Sequence, residues 1–78
     1  MIESPDTLLD LTEYRNIAGY VLALILLHQT RSKGLLGMKL RSQHDADWLA
    51  SRLHRQGYAV VAIEPRGEQA LLKICKPE

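Results

Sequence analysis

Three histidines, one cysteine, an acidic step beside a histidine and a lone tryptophan among arginines are the side chains here that could do chemistry. His28, His44 and His54 lie 16 and 10 residues apart, a spacing that matches no compact metal motif, and there is no cysteine pair to complete a tetrahedral zinc site. His44-Asp45-Ala46-Asp47 sets an imidazole near two carboxylates, as acid–base work would need. Aspartates at a helix start are already explained by capping and by the helix dipole. Cys75 has Lys73 and Lys76 nearby, and ammonium groups favour a thiolate. No histidine adjoins it in sequence to activate it as a nucleophile, so it reads as a plain strand cysteine. Gly19, Gly34, Gly37, Gly57 and Gly67 fit no phosphate-binding spacing. The expectation is a chain that is not an enzyme and takes no metal and no cofactor.

The signal for binding is stronger. On a helical projection Ala46, Leu49, Ala50 and Leu53 form an apolar stripe, and Trp48 falls nearly opposite, beside Arg52 and Arg55. Trp48 then has two readings: a second-layer contact under the N-terminal helices, or a binding hot spot, because Trp and Arg are enriched where interface energy concentrates. Arg52 follows one turn later, which allows a cation–π contact that preorganises the pair. With Arg66, expected at a hairpin tip, these give the partner-binding set Trp48, Arg52, Arg55 and Arg66.

If the arginines converge they also offer phosphate contacts, and a nucleic-acid-binding regulator is the alternative reading. A winged helix-turn-helix would need two helices between its first strands, whereas residues 42–57 leave room for one. Stacking aromatics are few: Tyr14, Tyr20, Tyr58 and Trp48.

The elements that position these residues follow from periodicity. Ser4-Pro5-Asp6 resembles a helix start, and Asp10 with Glu13 resembles a capping box that opens a longer helix to about Arg31. Arg31 and Lys33 suit that helix's C-terminal dipole, and Gly34 suits its end. Residues 20–27 are apolar all round, which predicts a helix buried on most sides, in a core or against a second subunit. A buried strand is the competing reading, and Leu and Ala content favours helix. From Leu35 the period becomes two: Leu36, Met38 and Leu40 alternate with Gly37, Lys39 and Arg41. Ser42 or Asp45 caps the next helix, which Gly57 ends. Two strands follow, residues 58–64 and 69–76, joined by a turn at Pro65-Arg66-Gly67-Glu68.

The fold class is therefore α+β, with N-terminal helices followed by a β-α-β-β unit and a three-stranded sheet, in a single domain over residues 1–78. Ala59, Val61 and Ile63 are expected on the covered face with Leu36, Met38, Leu40, Ala70, Leu72 and Ile74. The other face, with Tyr58, Val60, Ala62, Leu71 and Cys75, is too apolar to be comfortable in water.

Composition bounds the rest. Hydrophobic residues make up 46% of the chain and aromatic ones 5%, so aliphatic side chains must build the core. A chain of this length buries only about 60% of its surface on folding, and the excess is expected to meet another chain, most simply as a homodimer. A net charge of +1 gives no global pull toward nucleic acid or an anionic membrane. The apolar run 17–27 would span about 16 Å as a helix, against about 30 Å for a bilayer core. Acidic residues precede it where a signal peptide would be basic. The single cysteine fits a reducing compartment, so a cytoplasmic location is expected. The functional expectation is a noncatalytic protein-interaction module, a small regulator or inhibitor that binds a larger macromolecule.

Overall fold

The computed structural model describes residues 7–30 and 33–77. Along these residues run β1 (Thr7–Asp10), α1 (Asn16–Gln29), β2 (Leu35–Leu40), α2 (Gln43–Arg55), β3 (Ala59–Arg66) and β4 (Gln69–Cys75). The strands form one mixed sheet in the order β1-β2-β4-β3, with β1 parallel to β2 and the other two pairings antiparallel. Both helices cover one face of it, so the architecture is α+β in two layers, and among the described residues no element covers the second sheet face, which is bare to that extent.

Two expectations are corrected. Among the described residues the sheet has four strands instead of three, and the expected N-terminal helices are represented by α1 alone. Residues 7–10, read as part of an opening helix, add as β1 beside β2 with Thr7 opposite Leu36 and Asp10 opposite Lys39. Four residues are too few to display a period of two, and only the waiting edge of β2 gives them their conformation. Asp10 caps no helix: its carboxylate accepts from the Thr12 N–H (2.9 Å) and hydroxyl (2.6 Å), closing a turn at the strand end. The start expected at Ser4-Pro5-Asp6 and the helix end at Arg31 lie outside the described residues.

The end of α1 also differs from the reading. Thr30 is its C-cap; the Thr30 N–H bonds the Leu27 carbonyl and its hydroxyl donates to the Leu26 carbonyl at 2.8 Å. Gly34 plays no part in that cap. The cation at this end is Lys76, whose ammonium donates to the carbonyls of His28 (3.1 Å) and Thr30 (2.8 Å). It places a charge at the negative end of the helix dipole and ties α1 to the strand layer.

α2 follows its sequence closely. The Ser42 hydroxyl accepts from the Asp45 N–H at 3.1 Å, a cap contact of the kind typically worth about 1 kcal/mol. Gly57 follows the helix at φ 96°, a conformation that side chains with a Cβ rarely adopt. Ala46, Leu49, Ala50 and Leu53 are buried against Leu36, Met38 and Leu40 of β2 and Ala70, Leu72 and Ile74 of β4. Ala23 and Leu27 of α1, with Leu11, complete that core.

β3 departs from simple alternation. Val60 pairs with Ile74 and Ala62 with Lys73, so Val61 is an extra residue, a β-bulge. The bulge reverses the faces of residues 59–61, and Ala59 and Val61, expected to be covered, are exposed. Pro65 and Arg66 belong to β3 rather than to the turn, which is the two-residue step Gly67-Glu68 with Gly67 at φ 66°. Positive φ at the first loop position alone matches a type II′ hairpin. Pro65 is tolerated because β3 is an edge strand.

Lys76→Met should lower unfolding stability by about 1 kcal/mol, because α1 then loses the ammonium on its last carbonyls. Urea denaturation would check this, and an unchanged midpoint would show that α1 does not depend on the link to Lys76.

Candidate functional site

The groups with catalytic potential are dispersed. His28, His44 and His54 are all exposed, and among the described residues no three His, Cys, Asp or Glu side chains cluster to hold a metal. Asp45 pairs with the Arg41 guanidinium (Nε–Oδ2 3.5 Å), and Asp47 accepts weakly from the Gln43 amide at 3.5 Å. Both carboxylates thus serve the start of α2. Cys75 is half-buried on the bare sheet face, with Sγ 3.7 Å from the Lys76 carbonyl oxygen. The two neighbouring ammonium groups are engaged elsewhere: Lys73 with Glu64, and Lys76 with the end of α1.

Trp48 occupies the seam between the two helices. Its indole meets the Tyr20 ring edge-on, with centroids 6.3 Å apart and planes at 79°. The Arg52 guanidinium lies over it, 5.0 Å from the ring centroid, in cation–π range. The side chain is half-buried, so it holds α1 against α2 and still shows surface to solvent. The crevice beside it, lined by Tyr14, Gly19, Leu40, Asp45 and Leu49, has room for about one water, with a volume near 10 Å³. Arg52 and Arg55 are exposed on the outer side of α2.

Arg66 lies apart from this group. It lies on the bare sheet face and donates to Glu64 Oε1 at 2.9 Å, while Lys73 donates to Oε2 at 2.8 Å. The sheet therefore separates Arg66 from Arg52 and Arg55, and the four expected partner-binding residues split into a helical group of three and one strand residue. Next to Arg66 a shallow depression of about 380 Å³ is lined by Leu8, Lys39, Gln69 and Leu71.

What the sequence did not reveal is the outer face of α1. Ile17, Val21 and Ile25 are 69%, 45% and 51% exposed, one above the other at four-residue spacing. The expectation of a helix buried on most sides fails within one chain, since only its inward side, through Ala23 and Leu27, is fully covered. At its C-terminal end this outer face borders a depression of about 370 Å³ lined by Leu24, Ile25, His28, Gln29 and Tyr58. No helix among the described residues is long and apolar enough to cross a membrane.

No protein family, curated protein or solved structure matches this chain.

Glu64 is the bare face's electrostatic hub. The hydrogen bond from Lys73 holds its carboxyl below the ordinary glutamate range, against the upward push of desolvation, and the charges of Lys73 and Arg66 add to the lowering. A depressed carboxyl pKa contributes stability above the unfolded-state value, and that contribution is lost as pH falls through the folded-state value. Thermal melts at stepped pH should therefore show wild type losing more of its midpoint between neutral and acidic pH than Glu64→Gln does. Parallel losses in the two proteins would mean that the Glu64 pairs contribute nothing.

Proposed function

We propose that this chain is a noncatalytic protein-interaction module, a small regulator or inhibitor that acts as a homodimer by occupying the surface of a larger macromolecule. The observation that carries the reading is the aliphatic ridge of Ile17, Val21 and Ile25 standing in solvent on a helix with no Lys, Arg, Asp or Glu between residues 16 and 29. Exposed aliphatic side chains in a row, without charged interruption, favour association over solvation.

The sheet edges are poor alternatives for self-association. β3 carries both a bulge and Pro65, and β1 is four residues long, devices that blunt strand pairing with another chain. Association through a helix leaves the Trp48, Arg52 and Arg55 group for the macromolecular partner. An indole stacked under a guanidinium is a rigid, amphipathic surface that loses little rotamer freedom on binding. Arg66 is assigned to a separate contact on the bare sheet face. The nucleic-acid alternative relied on Arg52, Arg55 and Arg66 acting together, and their separation across the sheet removes its main support.

The test is capture of the partner by the immobilised protein, with Arg52→Glu and Arg55→Glu compared with wild type. Both substitutions leave Trp48 in its seam. Capture should fall on the order of tenfold for each. Undiminished capture by both variants, with circular dichroism unchanged, would contradict the assignment of this group to the partner.

A further inference from the structure

We infer that the segment bound by the Trp48, Arg52 and Arg55 group is an acidic stretch of polypeptide with one apolar anchor, which seats in the depression where the C-terminal ends of α1 and α2 meet. This chemistry for the partner rests on the interaction reading proposed above.

Charge is sorted along the two helices. α1 holds no Asp, Glu, Lys or Arg over residues 16–29, and residues 48–63, from Trp48 through the end of α2 into β3, contribute Arg52 and Arg55 and no acid. The acids of α2, Asp45 and Asp47, lie in its first two turns, where Arg41 and Gln43 engage them. Among the described residues neither Arg52 nor Arg55 has an ion-pair partner.

The end of α2 does not use these guanidinium groups for capping. The Leu53 carbonyl accepts from the N–H groups of Gln56 (3.0 Å) and Tyr58 (3.2 Å), and the His54 carbonyl accepts from the Gly57 N–H (3.0 Å). The dipole of α2 favours both cations at this end, yet their N–H donors stay open, and the contact of Arg52 with Trp48 supplies those donors no oxygen. Arg52 and Arg55 are three residues apart, about 4.5 Å along the helix axis, which suits carboxylates on neighbouring residues of one segment.

The anchor has its place beside them. Tyr20 meets Trp48 edge-on, half-buried Leu24 follows it by one turn of α1, and exposed His28 by two. Leu24 and His28, with Gln29 and half-buried Tyr58, line the depression of about 370 Å³, and Tyr58 lies two residues beyond the α2 C-cap, Gln56. The seam of the two helices therefore opens, at its C-terminal end, into a hollow walled by an aliphatic side chain and a phenol. Its volume lies within the few hundred Å³ usual for ligand sites, which accommodates a leucine or an aromatic side chain. A nucleic-acid duplex presents phosphates but no protruding apolar group to fill such a hollow, so an acidic peptide matches both halves of the site.

Trp48 is the sole tryptophan, so its emission reads the site directly. The probes are short tryptophan-free peptides: one of Asp and Glu around a single leucine, a second with Lys for every acid, and a third with Ala for the leucine. A single-stranded DNA oligonucleotide is titrated alongside. The acidic leucine peptide should change the emission saturably, and more weakly as salt is raised. The lysine peptide should give no response, and both the alanine peptide and Arg55→Glu should weaken binding on the order of tenfold, with circular dichroism of the variant unchanged. No response to the acidic peptide, or an equal response to the lysine peptide, would overturn the acidic partner, while capture of a partner that depends on Arg52 and Arg55 would still uphold the interaction reading. An alanine peptide that binds as tightly as the leucine peptide would overturn the anchor. Binding of the oligonucleotide in preference to the acidic peptide would overturn both the acidic partner and the reading beneath it.

Discussion

Everything in this molecule hangs on one contact, the small-and-large stripe of α2 laid across β4 and its two neighbours, β3 and β2. Ala46 and Ala50 let the helix approach closely, and Leu49 and Leu53 fill the space toward Leu36, Met38, Leu72 and Ile74. Each leucine fully removed from water contributes about 1.5–3 kcal/mol, a large share of the net stability of a small domain. Because β4 lies between β2 and β3, that single contact also fixes the centre of the sheet. β1 and α1 are then added at its periphery: β1 by pairing with β2, and α1 by leaning on α2 through Tyr20 and Trp48 and by the Lys76 tie.

Which parts were legible in the sequence follows from that hierarchy. The central unit could be read because its signals are local: alternation in β2 and β4, a hydroxyl cap at Ser42, a four-residue stripe in α2 and Gly57 at its end. The periphery depends on partners distant in sequence. β1 is a strand only because β2 offers an edge. α1 is closed by a lysine 46 residues beyond Thr30, and no reading of neighbouring residues could find that lysine. The bulge at Val61 was hidden for a related reason, since residues 59–63 are apolar at every position and their alternation carries no phase.

The candidate site was legible in the same uneven way. Helical projection put Trp48, Arg52 and Arg55 on one side of α2, and the indole lies under Arg52 as that spacing allows. Arg66 was separated from them by which face of the sheet β3 turns outward, a long-range outcome. The ridge on α1 was hidden by the quality that creates it: a helix apolar all round gives no hint of which side the rest of the chain will leave uncovered. Composition did anticipate that some aliphatic surface would be left over, because a chain this short has too little interior.

The central claim is that leftover aliphatic surface makes this chain an associating module rather than a nucleic-acid binder. Its most direct test is solution mass by light scattering on a size-exclusion column, at low and high salt, with and without a mixed DNA ladder. The expected result is about twice the 8.8 kDa chain mass at both salt concentrations and no response to DNA, because apolar contacts are not screened by ions. An 8.8 kDa species throughout, or a DNA-dependent shift that salt abolishes through counterion release, would contradict it.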